Sequence, residues 1–198
     1  AIIEAARVSD NGEILLGTGL GMSPTVAHLA KKIIIELNEA IPETIEGLHD
    51  IYMPLDPPYR REIPIYKPSD RIGTTLLKVD PAKIVGVVRT NLTDGVHGFS
   101  PLDETTQMIG NNVCNFLIQE LRRGAIFLPL QSGVGNVANA VLFGLGESNE
   151  VPAFDMYTEV IQDAVVDLME HGKCRFASTC SLTFSDAKMA EVFNNIDF

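Results

Sequence analysis

Between residues 126 and 179 the chain alternates in a way that few folds accommodate. An apolar run at 126–130 is followed by an amphipathic stretch at 136–145 and a second apolar run at 153–157. A stretch at 160–170, closed by Gly172, then leads into a third run at 174–179. Strand, helix, strand, helix, strand at these lengths predicts an α/β fold with an open, mostly parallel sheet and flanking helices. Ligands of such sheets sit beyond the carboxyl ends of the strands. The segments after the first two runs are therefore where chemistry is expected. Just upstream, residues 103–123 place Met108, Val113, Phe116, Leu117 and Leu121 at helical spacing and close at Gly124.

The first half reads differently. A glycine turn (Gly17, Gly19, Gly21) leads into Ser23-Pro24, where Ser as N-cap and Pro as first helical residue predict a helix start. Residues 32–37 are β-branched and fit either a buried strand or the end of that helix. From 38 to about 75, Pro42, Pro54, Pro57, Pro58, Pro64 and Pro68 break any long element, which predicts an irregular segment wrapping the domain or serving an interface. Residues 84–88 read as a buried strand, and Gly95, Gly98 and Pro101 mark a hinge or boundary.

Composition narrows the function. Fifteen Lys+Arg against twenty-six Asp+Glu give a net charge of −11, and no run of cations is longer than a pair such as Arg60-Arg61, which argues against a nucleic-acid wrapper. Hydrophobic residues at 45% support a buried core. Cys114, Cys174 and Cys180 form no Cys-x-x-Cys pair, so a reduced, cytoplasmic setting is expected. No basic region followed by an apolar run opens the chain, and no apolar stretch approaches the ~20 residues that cross a bilayer, so no membrane partner is expected. The first residue is Ala1 rather than Met, which fits a piece of something longer. His28, His49, His97 and His171 lack metal-ligand spacing, so no metal is expected.

Two segments carry candidate chemistry. Gln131, Ser132, Gly133, Val134, Gly135 and Asn136 form a strand-to-helix turn of Gly-x-Gly type. Such a turn lets backbone N–H groups approach an anion or oxyanion closely; it also serves as a plain tight turn. It is neither a Walker loop nor a dinucleotide fingerprint, which argues against a plain nucleotide-binding domain. Glu159 falls at the end of the second strand. It reads either as an acidic first-turn residue favoured by a helix dipole or as a carboxylate acting as base or nucleophile.

Together these segments resemble the acetyl-CoA hydrolase/transferase family, especially its succinyl-CoA:acetate CoA-transferase branch. The resemblance rests on LPLQSGVGNVANAVL at 128–142 and YTEVIQD at 157–163. It is supported by GMSPT at 21–25, EGLHDIY at 46–52 and SDRIG at 69–73, in family order through nearly the whole chain. The 4-hydroxybutyrate and butyrate branch carries an isoleucine-proline version of the glycine motif and a HTEM-like glutamate motif, and is less similar.

The resemblance implies a CoA-transferase fold of the NagB/RpiA-like kind in two half-domains. Residues 1–98 would be the latter part of the N-terminal domain and 99–198 the first part of the C-terminal one, with a further glycine loop expected beyond Phe198. Glu159 matches the family's catalytic glutamate, which attacks an acyl-CoA thioester and passes through a glutamyl-CoA thioester to a carboxylate acceptor. Gln131 to Asn136 would hold the thioester region of CoA, and Ser23, otherwise an N-cap, would meet the carboxylate end of the acyl group. Coenzyme A is then a substrate and no cofactor is bound permanently; a homodimer is implied. Where some members carry a hinge arginine, His97 stands here. Water as acceptor would make the same scaffold an acetyl-CoA hydrolase, and a non-catalytic acyl-CoA-binding module is the competing reading.

Overall fold

A computed structural model of the chain describes residues 1–93 and 102–195. The hinge expected at Gly95, Gly98 and Pro101, and with it His97, lies outside the described residues. The chain divides into two compact units, Ala1–Gly95 with Asp186–Phe198 and Val96–Ser185.

The first unit is built on a five-stranded sheet. Its strands are β1 (Ile2–Val8), β2 (Glu13–Leu16), β3 (Ile33–Asn38), β4 (Leu77–Lys78) and β5 (Ile84–Thr90), in the order β4-β2-β1-β3-β5. β1 pairs β3 and β3 pairs β5 in parallel, whereas β1–β2 and β2–β4 are antiparallel, so this sheet is mixed rather than mostly parallel. The short connection from Val8 to Glu13 permits only a hairpin, which forces the antiparallel half. Period-2 alternation splits β2 between two clusters: Ile14 and Leu16 pack with Ile3, Ile33 and Ile35, while Leu15 packs with Ala6, Ile41 and Ile45. Helix α5 (Asp186–Asn194) adds Phe193 to the second cluster.

One open alternative is resolved here and two expectations change. Residues 32–37 resolve as strand β3, since β-branched side chains fit a pleated sheet and its Ile33 and Ile35 are fully buried. Helix α1 (Ser23–Leu29) is N-capped by Met22, not Ser23, because the Val26 N–H reaches back to the Met22 carbonyl. Strand β5 is not buried: it lies at the sheet margin, and Val85, Val87 and Val88 are each about half exposed.

The proline-rich segment is irregular as expected, but it is pinned at both ends. Ile51 and Thr74 form an antiparallel bridge, and the Asp50 carboxylate accepts from the Ile72 and Gly73 N–H groups at 3.0 and 2.7 Å. Arg71 donates to the carbonyls of Gly47 and His49. Residue 73 must be glycine, since a Cβ there would stand 2.2 Å from the Ile51 carbonyl oxygen. His49, itself buried, donates through Nε2 to the Gly17 carbonyl at 2.8 Å, joining this segment to the first glycine turn.

The second unit is the expected alternation with two changes. Helix α2 (Glu104–Arg122) starts on Asp103, whose side chain accepts from the Thr106 N–H, and it is followed by Gly124 with φ 94°. Helix α3 (Asn136–Glu147) packs on it closely through small residues: a Cβ on Gly110 would stand 2.8 Å from the Ala140 backbone, and one on Gly144 2.6 Å from the Cys114 sulfur. Strands β6 (Phe154–Tyr157) and β8 (Cys174–Ser178) pair in parallel, as do β7 (Val160–Ile161) and β9 (Ser181–Leu182). Helix α4 (Asp163–Glu170) leads to Gly172, φ 68°.

The strand expected at 126–130 contracts to one parallel bridge, Leu130 with Met156. Phe127 still packs against Phe154, with ring centroids 5.6 Å apart and ring planes tilted by 51°, but Ile126 and Leu128 are exposed and have no ladder partner. The helix expected at 160–170 begins only at Asp163, because Val160 and Ile161 pair with Ser181 and Leu182 instead. Among the described residues no helix is long and apolar enough to cross a membrane.

Candidate functional site

The two segments singled out in the sequence meet in the second unit. Leu130 at the root of the glycine loop donates to the Asp155 carbonyl and accepts from the Tyr157 N–H, both at 2.9 Å. That bridge brings the loop at 131–136 alongside the end of β6. Beyond it the loop is tied again. The Thr158 hydroxyl donates to the Ser132 carbonyl at 2.8 Å and accepts from the Ser132 N–H at 3.2 Å, and Gln162 Nε2 donates to the Gly133 carbonyl at 2.9 Å.

Glu159 lies between these two tethers. Its carbonyl accepts from Thr179 Oγ1 at 2.7 Å, from the Cys180 N–H at 3.2 Å and from Cys180 Sγ at 3.1 Å, while the residue itself is exposed. The backbone is therefore held and the side chain reaches solvent. Asp163, not Glu159, is the acidic residue in the first turn of α4, and its carboxylate accepts from the Ser185 N–H and hydroxyl at 2.9 and 2.6 Å. The helix-dipole explanation for Glu159 is thereby removed.

Gly135, at φ 114° and ψ 172°, is the N-cap of α3 and supplies no side-chain cap. An L-residue is strained there, and the first-turn N–H groups of α3 are left for solvent or a ligand. Gln131, Gly133 and Val134 are exposed, and Ser132, Gly135 and Asn136 are half-buried. The site can present backbone donors and one carboxylate to a bound molecule. Among the described residues no group of three His, Cys, Asp or Glu side chains is placed to hold a metal ion.

Ser23 stands half-buried at the start of α1 in the first unit. Thr158 and Gln162 escaped the sequence reading. Both lie inside the YTEVIQD motif, yet Gln162 falls within the residues read as a helix, 160–170, and Thr158 before them, so no single periodicity sets the two on one face. Only the break at Gln162 reveals that both side chains turn to the loop.

Residues 1–89 match the acetyl-CoA hydrolase/transferase N-terminal domain. Over 201 aligned residues the chain is 44% identical to a propanoyl-CoA:succinate CoA transferase of Escherichia coli (strain K12), covering all of this chain and 41% of that protein. It is 41% identical to a succinyl-CoA:acetate CoA-transferase of Clostridium kluyveri, all of this chain aligning with 37% of that one. An acetyl-CoA hydrolase of Schizosaccharomyces pombe is also 41% identical, with 100% and 38% covered. The chain thus spans about two fifths of the length of the curated relatives it matches. A crystal structure of 4-hydroxybutyrate CoA-transferase from Porphyromonas gingivalis superposes with a TM-score of 0.65 at 18% identity, covering 99% of this chain and 42% of that one. RipA from Yersinia pestis gives 0.60 at 15% identity, with 96% and 37% covered. The fold is that of the matching parts of these two solved chains. The chain belongs to the acetyl-CoA hydrolase/transferase family.

Proposed function

We propose that the protein is a CoA-transferase that moves coenzyme A between a short-chain acyl-CoA, of the acetyl or succinyl type, and a free carboxylate. Glu159 is the nucleophile. One observation carries the reading: an exposed glutamate on a fixed backbone stands between two side chains bonded to an adjacent glycine loop. The family to which the chain belongs supports it.

A carboxylate is charged at neutral pH, so it needs no partner base as a serine would. Its oxygen attacks the thioester carbonyl; a C–O bond forms, the C–S bond breaks, and CoA leaves as thiolate, giving a mixed acyl-glutamyl anhydride. The thiolate then attacks the glutamyl carbonyl, and the first carboxylate departs, leaving glutamyl-CoA. An acceptor carboxylate runs the same steps backwards, so the thioester bond is conserved only while water is excluded. The loop from Gln131 to Asn136, with the free N–H groups at the start of α3, receives the thioester end of CoA. Coenzyme A is substrate throughout. We assign the fold to the NagB/RpiA-like CoA-transferase class, with 1–98 and 99–198 as parts of two successive domains in a cytoplasmic homodimer; an elution volume of monomer size for the intact protein contradicts the dimer.

In the intact protein, Glu159→Gln is expected to lower acyl exchange by at least about a thousandfold. Exchange near the unsubstituted rate in that variant removes Glu159 from the mechanism. Ser23 is placed at the far carboxylate of a dicarboxylic acyl group: Ser23→Ala is expected to raise KM for succinyl-CoA and leave KM for acetyl-CoA unchanged. An equal rise for both donors contradicts that placement.

A hydrolase reading has its own support, since relatives named acetyl-CoA hydrolase align with the whole chain at 39% and 41% identity. Thiol release without an added carboxylate, at a rate matching acyl transfer, favours it over the transferase.

A further inference from the structure

We propose that Thr158 and Gln162 are positioning residues that aim the N–H groups of Gly133 and Val134 at the reacting thioester; this rests on the reading of Glu159 as nucleophile. Thr158 is 7% exposed and Gln162 2%. Burying a hydroxyl and an amide is unfavourable unless they are bonded, and both give their donors to the loop rather than to their own elements. Each stands on a fixed support. The Thr158 N–H donates to the Ser178 carbonyl at 2.8 Å, and the Gln162 carbonyl caps α4 by accepting from the Val165 N–H at 2.9 Å.

The loop has little else to hold it. A Cβ added to Gly133 or Gly135 meets nothing within 4 Å, so side-chain packing does not restrain the turn. The Gly133 carbonyl only accepts, which places the Gln162 nitrogen toward it; Gln162 Oε1 has no partner among the described residues.

A trans peptide is planar, with C=O and N–H pointing in opposite directions. Drawing the Ser132 carbonyl toward Thr158 therefore turns the Gly133 N–H the other way, and drawing the Gly133 carbonyl toward Gln162 does the same for the Val134 N–H. Neither N–H has a protein partner among the described residues. Two neighbouring donors with fixed directions, beside a nucleophile, suit an oxygen whose negative charge grows as the thioester is attacked. Glu159 separates the two side chains that set them, so nucleophile and donors share one frame.

Three variants of the intact protein test this. Thr158→Val removes the hydroxyl at constant shape and is expected to lower kcat about tenfold to a hundredfold, with KM for the carboxylate acceptor held within about twofold. Thr158→Ser keeps the hydroxyl and is expected to recover most of that loss. Gln162→Glu replaces the amide by a group that donates to the Gly133 carbonyl only while protonated. Its single-turnover rate of glutamyl-CoA formation is expected to fall as pH rises, departing from the unsubstituted profile. A folded Thr158→Val with undiminished kcat, or a Gln162→Glu profile parallel to the parent's, overturns the proposal. If Thr158→Val does not fold, the Gln162→Glu profile decides alone. Full exchange by Glu159→Gln defeats the nucleophile reading itself; an inert Glu159→Gln beside parent-like Thr158→Val and Gln162→Glu defeats only the positioning.

Discussion

At the scale of single residues, burial sorts the three cysteines. Cys114 and Cys174 are 5% and 2% exposed, and burial pushes both thiols up, Cys174 to about 11. Cys180 is half-buried, with its thiol on the Glu159 carbonyl. A disulfide-exchange reagent at pH 8 is therefore expected to modify one thiol, Cys180, quickly, and the other two only on unfolding; fast reaction of two or three contradicts this. The sign for stability follows. The folded chain keeps the Cys174 proton after the unfolded chain has released its own, so that contribution is whole below pH 9 and lost as pH rises toward 11. Glu159 was legible because a carboxylate at a strand end is a question the sequence itself raises, and the loop at 131–136 because Gly-x-Gly after an apolar run forces a turn. Thr158 and Gln162 were not legible, since threonine and glutamine inside an apolar stretch carry no mark of the partner they find 26 and 29 residues upstream.

At the scale of elements, helices with caps were read well and strands less so. Asp103 and Gly124 bracket α2 through local chemistry, a carboxylate on a free N–H and a positive φ, which sequence displays directly. Strand status depends on neighbours instead. The apolar runs at 84–88 and 126–130 look alike, yet one forms an edge strand and the other a single bridge. Ser23-Pro24 marked a helix start within one residue but misassigned the cap, because Pro is tolerated at either of the first two positions. The irregular segment after β3 depends on His49. Burial lowers the pKa of its ring below 6.5, so the unfolded chain takes up a proton before the folded one. That contribution is whole above pH 6.5 and lost as pH falls through the lower folded value. The melting temperature is expected to drop between pH 7 and 5.5, and His49→Gln to flatten the drop; an unchanged slope removes His49 as the cause.

At the scale of the molecule, the first unit carries a five-stranded sheet and the second two two-stranded ones, and the second unit collects Glu159, the glycine loop and their ties within residues 130–162. The α/β class was readable from alternation alone, while the mixed sheet of the first unit was not, since a hairpin at Val8 to Glu13 reverses the chain without any change in apolar pattern. The proposed mechanism requires the exposed Glu159 to take CoA covalently. The direct measurement is to mix the intact protein with succinyl-CoA or acetyl-CoA, trap with hydroxylamine or borohydride, and locate the modified residue by peptide mass spectrometry. One adduct is expected, on Glu159, and none in Glu159→Gln. An adduct elsewhere, or acyl exchange with none formed, contradicts it.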